Sequence, residues 1–167
     1  DPVGVPDAHP ARQHVVDHPR ELVHAQHLNR PGAPQSRPGE LELLHRAGPA
    51  VGPLATSSGL KLVADLAYRD VKSGIDTLLV AGGRGSQAAA KDPALLACLW
   101  RSASRVRRLG SVCTGTFVLA AAGLLDGRRA TTHWAWCDEL AKRHESVAID
   151  PDPIFVRDGH IYTSAGV

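Results

Sequence analysis

Leu109-Gly110-Ser111-Val112-Cys113-Thr114-Gly115-Thr116 is the stretch whose reading decides the fold. Leu109 to Val112 reads as a buried strand, and Thr116 to Leu125 as a helix too apolar to face water. Almost no loop separates the two, so a cysteine sits at the corner. A strand-to-helix turn of this kind pushes its side chain outward at the carboxyl edge of a sheet, where open α/β folds bind ligands. The small neighbours Thr114 and Gly115 let the backbone turn and leave amide N–H groups around the sulfur. A helix N-terminus favours negative charge, and hence thiolate, at that place. Cys113 is a candidate nucleophile or ligand-contacting residue. By spacing alone, a small buried hydrophobe, the usual state of free cysteine, is an equal alternative.

The flanking sequence has the same strand–helix rhythm. Ile75 to Val80 (IDTLLV) is an apolar run ending in Ala81-Gly82-Gly83, a buried strand entering a tight loop. Asp92-Pro93 is a helix start, with a capping carboxylate and then proline at the first helical position. Leu95, Leu96, Leu99, Trp100, Ala103 and Val106 fall on one apolar stripe of that helix. Gly127 is read as closing the helix after Cys113. A short strand, Arg129 to Thr132, and a helix, Trp134 to His144, follow. Ile154–Arg157 and His160–Thr163 form a hairpin turning at Asp158-Gly159, read as a decoration. This alternation implies a largely parallel open sheet with helices on both faces.

His133 follows a short strand and should emerge on the same rim as Cys113, where an imidazole can move a proton or pair with a thiolate. A histidine bonded only to backbone at such a junction is the structural alternative. Gly82-Gly83, at the end of a neighbouring strand, can add an amide N–H as an oxyanion donor. Cys98 lies on the helix from Asp92 and reads as core. Cys137 follows Trp136 with no obvious activator. The arginines Arg101, Arg105, Arg107 and Arg108 could meet phosphate, but near a helix C-terminus they also suit the helix dipole on a solvated face.

Composition bounds the rest. The chain has 167 residues, 43% of them hydrophobic, which supports one sizeable core rather than two. A net charge of +2 gives no global footprint for nucleic acid or an anionic membrane. No apolar run approaches the ~20 residues that span a bilayer, and the N-terminus lacks the pattern of a secretion signal. Three cysteines without a CxxC spacing predict neither a disulfide scaffold nor a metal site, and a cytoplasmic setting is expected. Residues 1–50 hold six of the nine histidines (His9, His14, His18, His24, His27 and His45) and read as an irregular Pro/His-rich leader, with no metal site expected there. The absence of methionine suggests a piece of a longer product.

Ile75–Gly83 (IDTLLVAGG), Gly110–Gly115 (GSVCTG), Ala130–Trp134 (ATTHW) and Ile161–Val167 (IYTSAGV) resemble the PfpI/ThiJ superfamily, the class I glutamine amidotransferase-like fold. Ser111–Trp134 with Asp152–Gly159 (DPIFVRDG) resembles the sensor domain of AraC-type regulators of the GlxA kind, and the same core resembles isonitrile hydratases. The resemblance covers about residues 50–167. It implies a flavodoxin-like α/β domain over 51–167, truncated at its C-terminus, with Cys113 as the elbow cysteine and His133 as its partner. Gly83 matches the glycine whose amide faces the cysteine, so Gly82, Gly83, Thr114 and Gly115 would line the ligand site. It further implies a small-molecule ligand, a homodimer, no cofactor, and no direct DNA binding without an added helix-turn-helix domain. The family also begins with an apolar strand, and many members carry an acid near it that bonds the cysteine. Nothing in residues 1–50 reads as that strand, and none of Asp7, Asp17 and Glu21 is assigned as the acid. The expected function is ligand sensing, with isonitrile hydration as the alternative and thiolate redox or aldehyde-adduct chemistry third. Glutamine amidotransfer is disfavoured because His160 is followed two residues later by Tyr162 rather than glutamate.

Overall fold

The computed structural model describes residues 23–26, 44–56, 59–72 and 74–166. In chain order the first elements are β1 (Val23–Gln26), β2 (Leu44–Gly48), β3 (Gly52–Ala55), β4 (Lys61–Ala64), β5 (Leu66–Ala67) and β6 (Thr77–Val80). Next come α1 (Ser86–Ala89), α2 (Pro93–Ala103), β7 (Arg108–Val112) and α3 (Thr116–Ala121). The chain closes with β8 (Arg129–Ala130), α4 (Cys137–Arg143), β9 (Ala148–Ile149), β10 (Phe155–Asp158) and β11 (Ile161–Ser164).

Seven strands form one sheet in the order β10-β11-β7-β6-β1-β2-β5. β7 runs parallel to both β6 and β11, and β2 parallel to β5, while β1 and β10 run antiparallel to their neighbours. The α/β class with a parallel-strand sheet is therefore as expected. Its core is one apolar cluster that includes Leu78 and Val80 of β6, Leu109 of β7, Leu95 and Leu99 of α2, and Phe117 of α3. β6 alternates half-buried Thr77 and Leu79 with buried Leu78 and Val80, the two-residue period of a strand. α2 starts as its sequence predicts: Asp92 Oδ1 accepts the N–H groups of Ala94 at 2.8 Å and Leu95 at 3.4 Å, with Pro93 at the first helical position.

Several elements differ from the sequence reading. Two segments within the stretch read as an irregular leader are strands: β1 occupies the slot between β2 and β6, and β2 follows it in the sheet. The terminal hairpin is not a decoration, because β11 pairs with β7 in register Thr163↔Ser111 and extends the main sheet. Its strands begin one residue later than expected, so the two-residue loop is Gly159-His160. Trp100, assigned to the apolar stripe of α2, is 70% exposed; the buried residues of the helix are Leu95, Cys98, Leu99, Ser102 and Ala103. α3 ends at Ala121, with Gly123 at φ +70°, well before Gly127. His9, His14, His18 and His27, with Asp7, Asp17 and Glu21, lie outside the described residues.

At the edge of the sheet where β6 and β7 begin, a buried carboxylate fixes their register. Arg107 donates to Asp76 from Nε at 2.8 Å and Nη2 at 3.0 Å, and Thr77 Oγ1 donates to it at 2.8 Å. The Asp76 carbonyl also accepts the N–H groups of Arg107 and Arg108. Burial alone would raise the Asp76 carboxyl, but the Arg107 and Thr77 hydrogen bonds and the two guanidinium charges outweigh it and hold the group below its usual value. A carboxyl depressed in the folded state stabilises the fold above its unfolded value near ~3.9, and that stabilisation is lost as pH falls through the lower folded value. Asp76→Asn should lower stability by about 1–2 kcal/mol at neutral pH, discounted because Arg107 is half-exposed. Urea unfolding should show the gap to the unmodified chain closing as pH is lowered towards about 3.

Candidate functional site

Cys113 is the one non-glycine residue of the described chain in the left-handed region, at φ 54°. β7 feeds it at Val112, whose φ of −118° and ψ of 137° are extended, and a 3-10 turn over Cys113–Gly115 then leads into α3. Hence the chain turns within one residue, and the backbone sets the direction of the Cα–Cβ bond. Conformations of this kind cost about 1–3 kcal/mol and persist where their surroundings hold them. Cys113 is half-buried.

Those surroundings are three strand ends and a set of hydroxyls. A Cβ on Gly82, just beyond β6, would lie 2.7 Å from Cys113 Cβ and 2.6 Å from the Val112 carbonyl oxygen. One on Gly166, just beyond β11, would lie 2.8 Å from Cys113 Cβ, and Gly166 itself sits at φ +70°. Any side chain at either position would collide with the elbow. Gly115 makes a similar approach, its absent Cβ falling 2.6 Å from the Val80 carbonyl oxygen. Two residues past β8, Thr132 Oγ1 donates to the Cys113 carbonyl at 2.8 Å. Thr116 Oγ1 lies within reach of Ser111 Oγ at 2.9 Å, the Thr131 carbonyl at 3.0 Å and the Cys113 carbonyl at 3.2 Å. Thr131 N–H donates to Thr163 Oγ1 at 2.9 Å, joining the β8 end to β11.

His133 follows Thr132, so the bond from Thr132 to the elbow carbonyl brings the imidazole-bearing segment to the rim that carries Cys113. His133 is half-buried and caps the next 3-10 turn, its Nδ1 accepting the Ala135 N–H at 3.2 Å. In the neutral ring that bond puts the hydrogen on Nε2, so the free edge offers a donor rather than a base. The ring stacks on Trp134, with centroids 5.4 Å apart and planes 30° from parallel, and Trp134 is 76% exposed. Among the described residues, no hydrogen bond joins Cys113 Sγ to His133, and no carboxylate bonds either residue.

The glycine loop departs from the expected arrangement. Gly83 N–H, read as an oxyanion donor facing the cysteine, donates to Thr114 Oγ1 at 2.9 Å. Ser86 Oγ donates to the Gly83 carbonyl at 2.8 Å and lies 2.7 Å from Thr114 Oγ1, so the loop is tied to the elbow through hydroxyls. Gly82 is the glycine packed on the cysteine. Gly166 was missing from the sequence-derived site; its signal was a glycine directly after a strand that pairs with β7. Cys98 is buried as expected, Cys137 is buried too, and burial pushes both thiols up. Cys137 Sγ points at the carbonyls of Thr132 and His133, 3.8 Å from each. Among the described residues, no cluster of three or more His, Cys, Asp or Glu side chains could hold a metal, and no helix is long and apolar enough to cross a membrane.

An open mixed sheet with a strained cysteine elbow at the carboxyl end of its parallel strands defines a class of α/β domains. The chain belongs to the DJ-1/PfpI family, whose model matches residues 40–167. It is 39% identical over 115 residues to an isonitrile hydratase from Pseudomonas putida, covering 69% of this chain and 49% of that protein. It is 37% identical over 115 residues to the HTH-type transcriptional regulator CdhR of Pseudomonas aeruginosa, covering 69% of this chain and 33% of that protein. With the HTH-type transcriptional regulator GlxA of Rhizobium meliloti it shares 37% identity over 121 residues, covering 71% of this chain and 36% of that protein. Thus the chain spans half or less of the length of these relatives. A crystal structure of a ThiJ/PfpI family protein from Pseudomonas syringae superposes with a TM-score of 0.66 at 34% identity, covering 74% of this chain and 50% of that one.

Native protein treated briefly with iodoacetamide should gain one adduct, on Cys113, and denatured protein three, read by intact mass and peptide mapping. Gly82→Ala should destabilise the fold by about 1–3 kcal/mol, because its Cβ meets backbone that cannot move aside. Urea denaturation measures that loss.

Proposed function

We propose that residues 51–167 form the ligand-sensing domain of an AraC-type transcriptional regulator, binding a small molecule at the carboxyl edge of the sheet without turning it over. Cys113 and His133 are the central contacts, and Gly82, Gly83, Thr114 and Gly115 form the wall beside them. The observation that carries this reading is that the groups beside the elbow expected to take part in chemistry are already engaged. Gly83 N–H is given to Thr114, His133 Nδ1 accepts a backbone N–H, and no carboxylate among the described residues bonds Cys113 or His133. A hydrolytic cysteine needs a base or an acid placed within hydrogen-bond reach of the reacting atoms. A binding cysteine needs only a held backbone, and the elbow at φ 54° is held by Gly82, Gly166 and Thr132. Two of the relatives described above, CdhR and GlxA, are HTH-type transcriptional regulators, which agrees with this reading. A cytoplasmic homodimer belongs to the same proposal.

Isonitrile hydration is the second reading, favoured by the 39% identity to the Pseudomonas putida enzyme. It requires an acid to protonate the isonitrile carbon, attack at that carbon with Cys113 attacking or positioning it, and water to complete the formamide.

Incubation with an alkyl isonitrile, followed by proton NMR for the formamide hydrogen, separates the two. The expected result is no product above the rate of buffer alone. Product formation that disappears in Cys113→Ala would overturn the sensing proposal. Independently, the gene downstream of the codon for Val167 should encode a helix-turn-helix unit in one of its reading frames. A downstream sequence with none in any frame would count against the regulator assignment.

A further inference from the structure

β10 ends the seven-stranded sheet, so among the described residues only one of its two edges is paired. Pairing with β11 alternates along the strand, as in any antiparallel ladder. The Ala165 N–H donates to the Ile154 carbonyl at 2.8 Å, which turns Ile154, and with it Val156 and Asp158, toward β11. Phe155 and Arg157, the residues between, direct their main-chain N–H and C=O groups the other way. Among the described residues no hydrogen bond reaches those groups. β8 does not take them up. Its segment bonds side chains on one face of the hairpin, Asp158 from the Arg129 N–H and Thr163 from the Thr131 N–H. Beside the strand lies an open groove of about 530 Å³, whose lining includes Phe155, Val156 and Arg157, with Pro153 just before them.

An unpaired edge is a template for another strand, and folded proteins usually blunt it with lysine, proline or a bulge. Here two large apolar side chains stand in solvent instead, Ile154 at 80% and Phe155 at 63% exposure. The open edge is also sharply bounded. Pro153, the next outward position, has no N–H to give, and Gly159 at φ +62° already belongs to the turn. The edge that remains, Phe155 and Arg157, is complementary to itself. An antiparallel copy centred on Val156 sets Phe155 opposite the partner's Arg157 and Arg157 opposite the partner's Phe155, each facing pair exchanging both its main-chain bonds. Centring on Arg157 would set two guanidinium groups against each other, and centring on Phe155 would bring Arg157 opposite a proline. In the Val156 register a cation faces an aromatic ring on both sides of the two-fold axis. Arg157 already lies over one ring, its guanidinium carbon 5.5 Å from the centroid of Tyr162, and the partner's Phe155 would supply a second.

We propose that two copies of this chain join through β10, pairing antiparallel about Val156 into one continuous sheet. The contact rests on the homodimer of the proposed function and not on its ligand. Sedimentation equilibrium of the full chain at rising concentration tests it, with amide hydrogen exchange followed by NMR at each step. A monomer–dimer equilibrium is expected. The Phe155 and Arg157 amides should gain protection in step with the dimer, while those of Val156 and Asp158, bonded to β11, stay protected throughout. Phe155→Lys, at an exposed position, sets like charge opposite the partner's Arg157 and should raise the dissociation constant about tenfold. Phe155→Glu removes the same ring but sets opposite charge there, and should dimerise more tightly than Phe155→Lys by a similar factor. Should either variant lose its fold, the exchange pattern of the unmodified chain decides alone. A chain that stays monomeric at every concentration overturns the contact and the homodimer with it. A dimer whose Phe155 and Arg157 amides exchange freely, or equal weakening by lysine and glutamate, overturns the β10 contact and leaves the homodimer standing. The isonitrile assay reads turnover separately from all of these.

Discussion

The left-handed backbone of Cys113 is the constraint around which the rest of this domain is arranged. A β-carbon at φ 54° is held there only if its neighbours deny it an alternative, and two of them do so by having no β-carbon of their own. Gly82 and Gly166 close on the cysteine from the ends of β6 and β11, the two strands that flank β7. The pairing of β7 with both neighbours is therefore part of the site as well as of the sheet. A shift of one residue in either register would turn the facing side chains over and carry a different residue to the elbow.

The two edges of the parallel core are built on different chemistry. Where β6 and β7 begin, charge sets the register through Asp76 and Arg107, and the surplus of cations is left facing solvent. Where they end, neutral hydroxyls take over: Ser111, Thr114, Thr116, Thr131, Thr132 and Thr163 are buried. Hydroxyls can donate and accept from one atom, so a chain of them satisfies converging backbone carbonyls without burying a charge. A carboxylate placed among them would meet the elbow carbonyl and the strand ends as an acceptor among acceptors. This explains why a crevice so rich in polar atoms carries little charge of its own.

Much of this was legible in the sequence because each strand end carries its own local signal. Gly-Gly after IDTLLV, cysteine after LGSV and histidine after ATT each mark the place where a strand runs out; the parallel pairing of β6 and β7 brings the first two to one edge, whereas β8 pairs with β9 in a separate sheet and reaches the elbow through Thr132. What escaped depends on partners far along the chain. VHAQ has too few apolar residues to announce a strand, and it becomes one only through pairing with β2 and β6 on either side. The hairpin was correctly seen as antiparallel, but alternation within it says nothing about whether its second strand joins a sheet through β7. Trp100 fits the helical period, yet it lies at the margin of the stripe, where 70% of it meets solvent. The exchange of roles between Gly82 and Gly83 follows from Thr114, whose hydroxyl claims the Gly83 amide, and no spacing rule reports on a hydrogen bond spanning 31 residues.

The tautomer of His133 bears on how such a domain can hold a ligand without transforming it. With Nδ1 accepting from Ala135, the neutral ring carries its hydrogen on Nε2, and Thr132 ties its segment to the elbow carbonyl. Under the sensing proposal, a ligand carbonyl or carboxylate would accept from that N–H. For the same two residues to activate water or a thiol, the ring would have to give up the Ala135 bond and expose a bare nitrogen, uncapping the turn that leads into α4. Chemistry at this edge is thereby coupled to the start of a helix, whereas binding leaves that helix start intact.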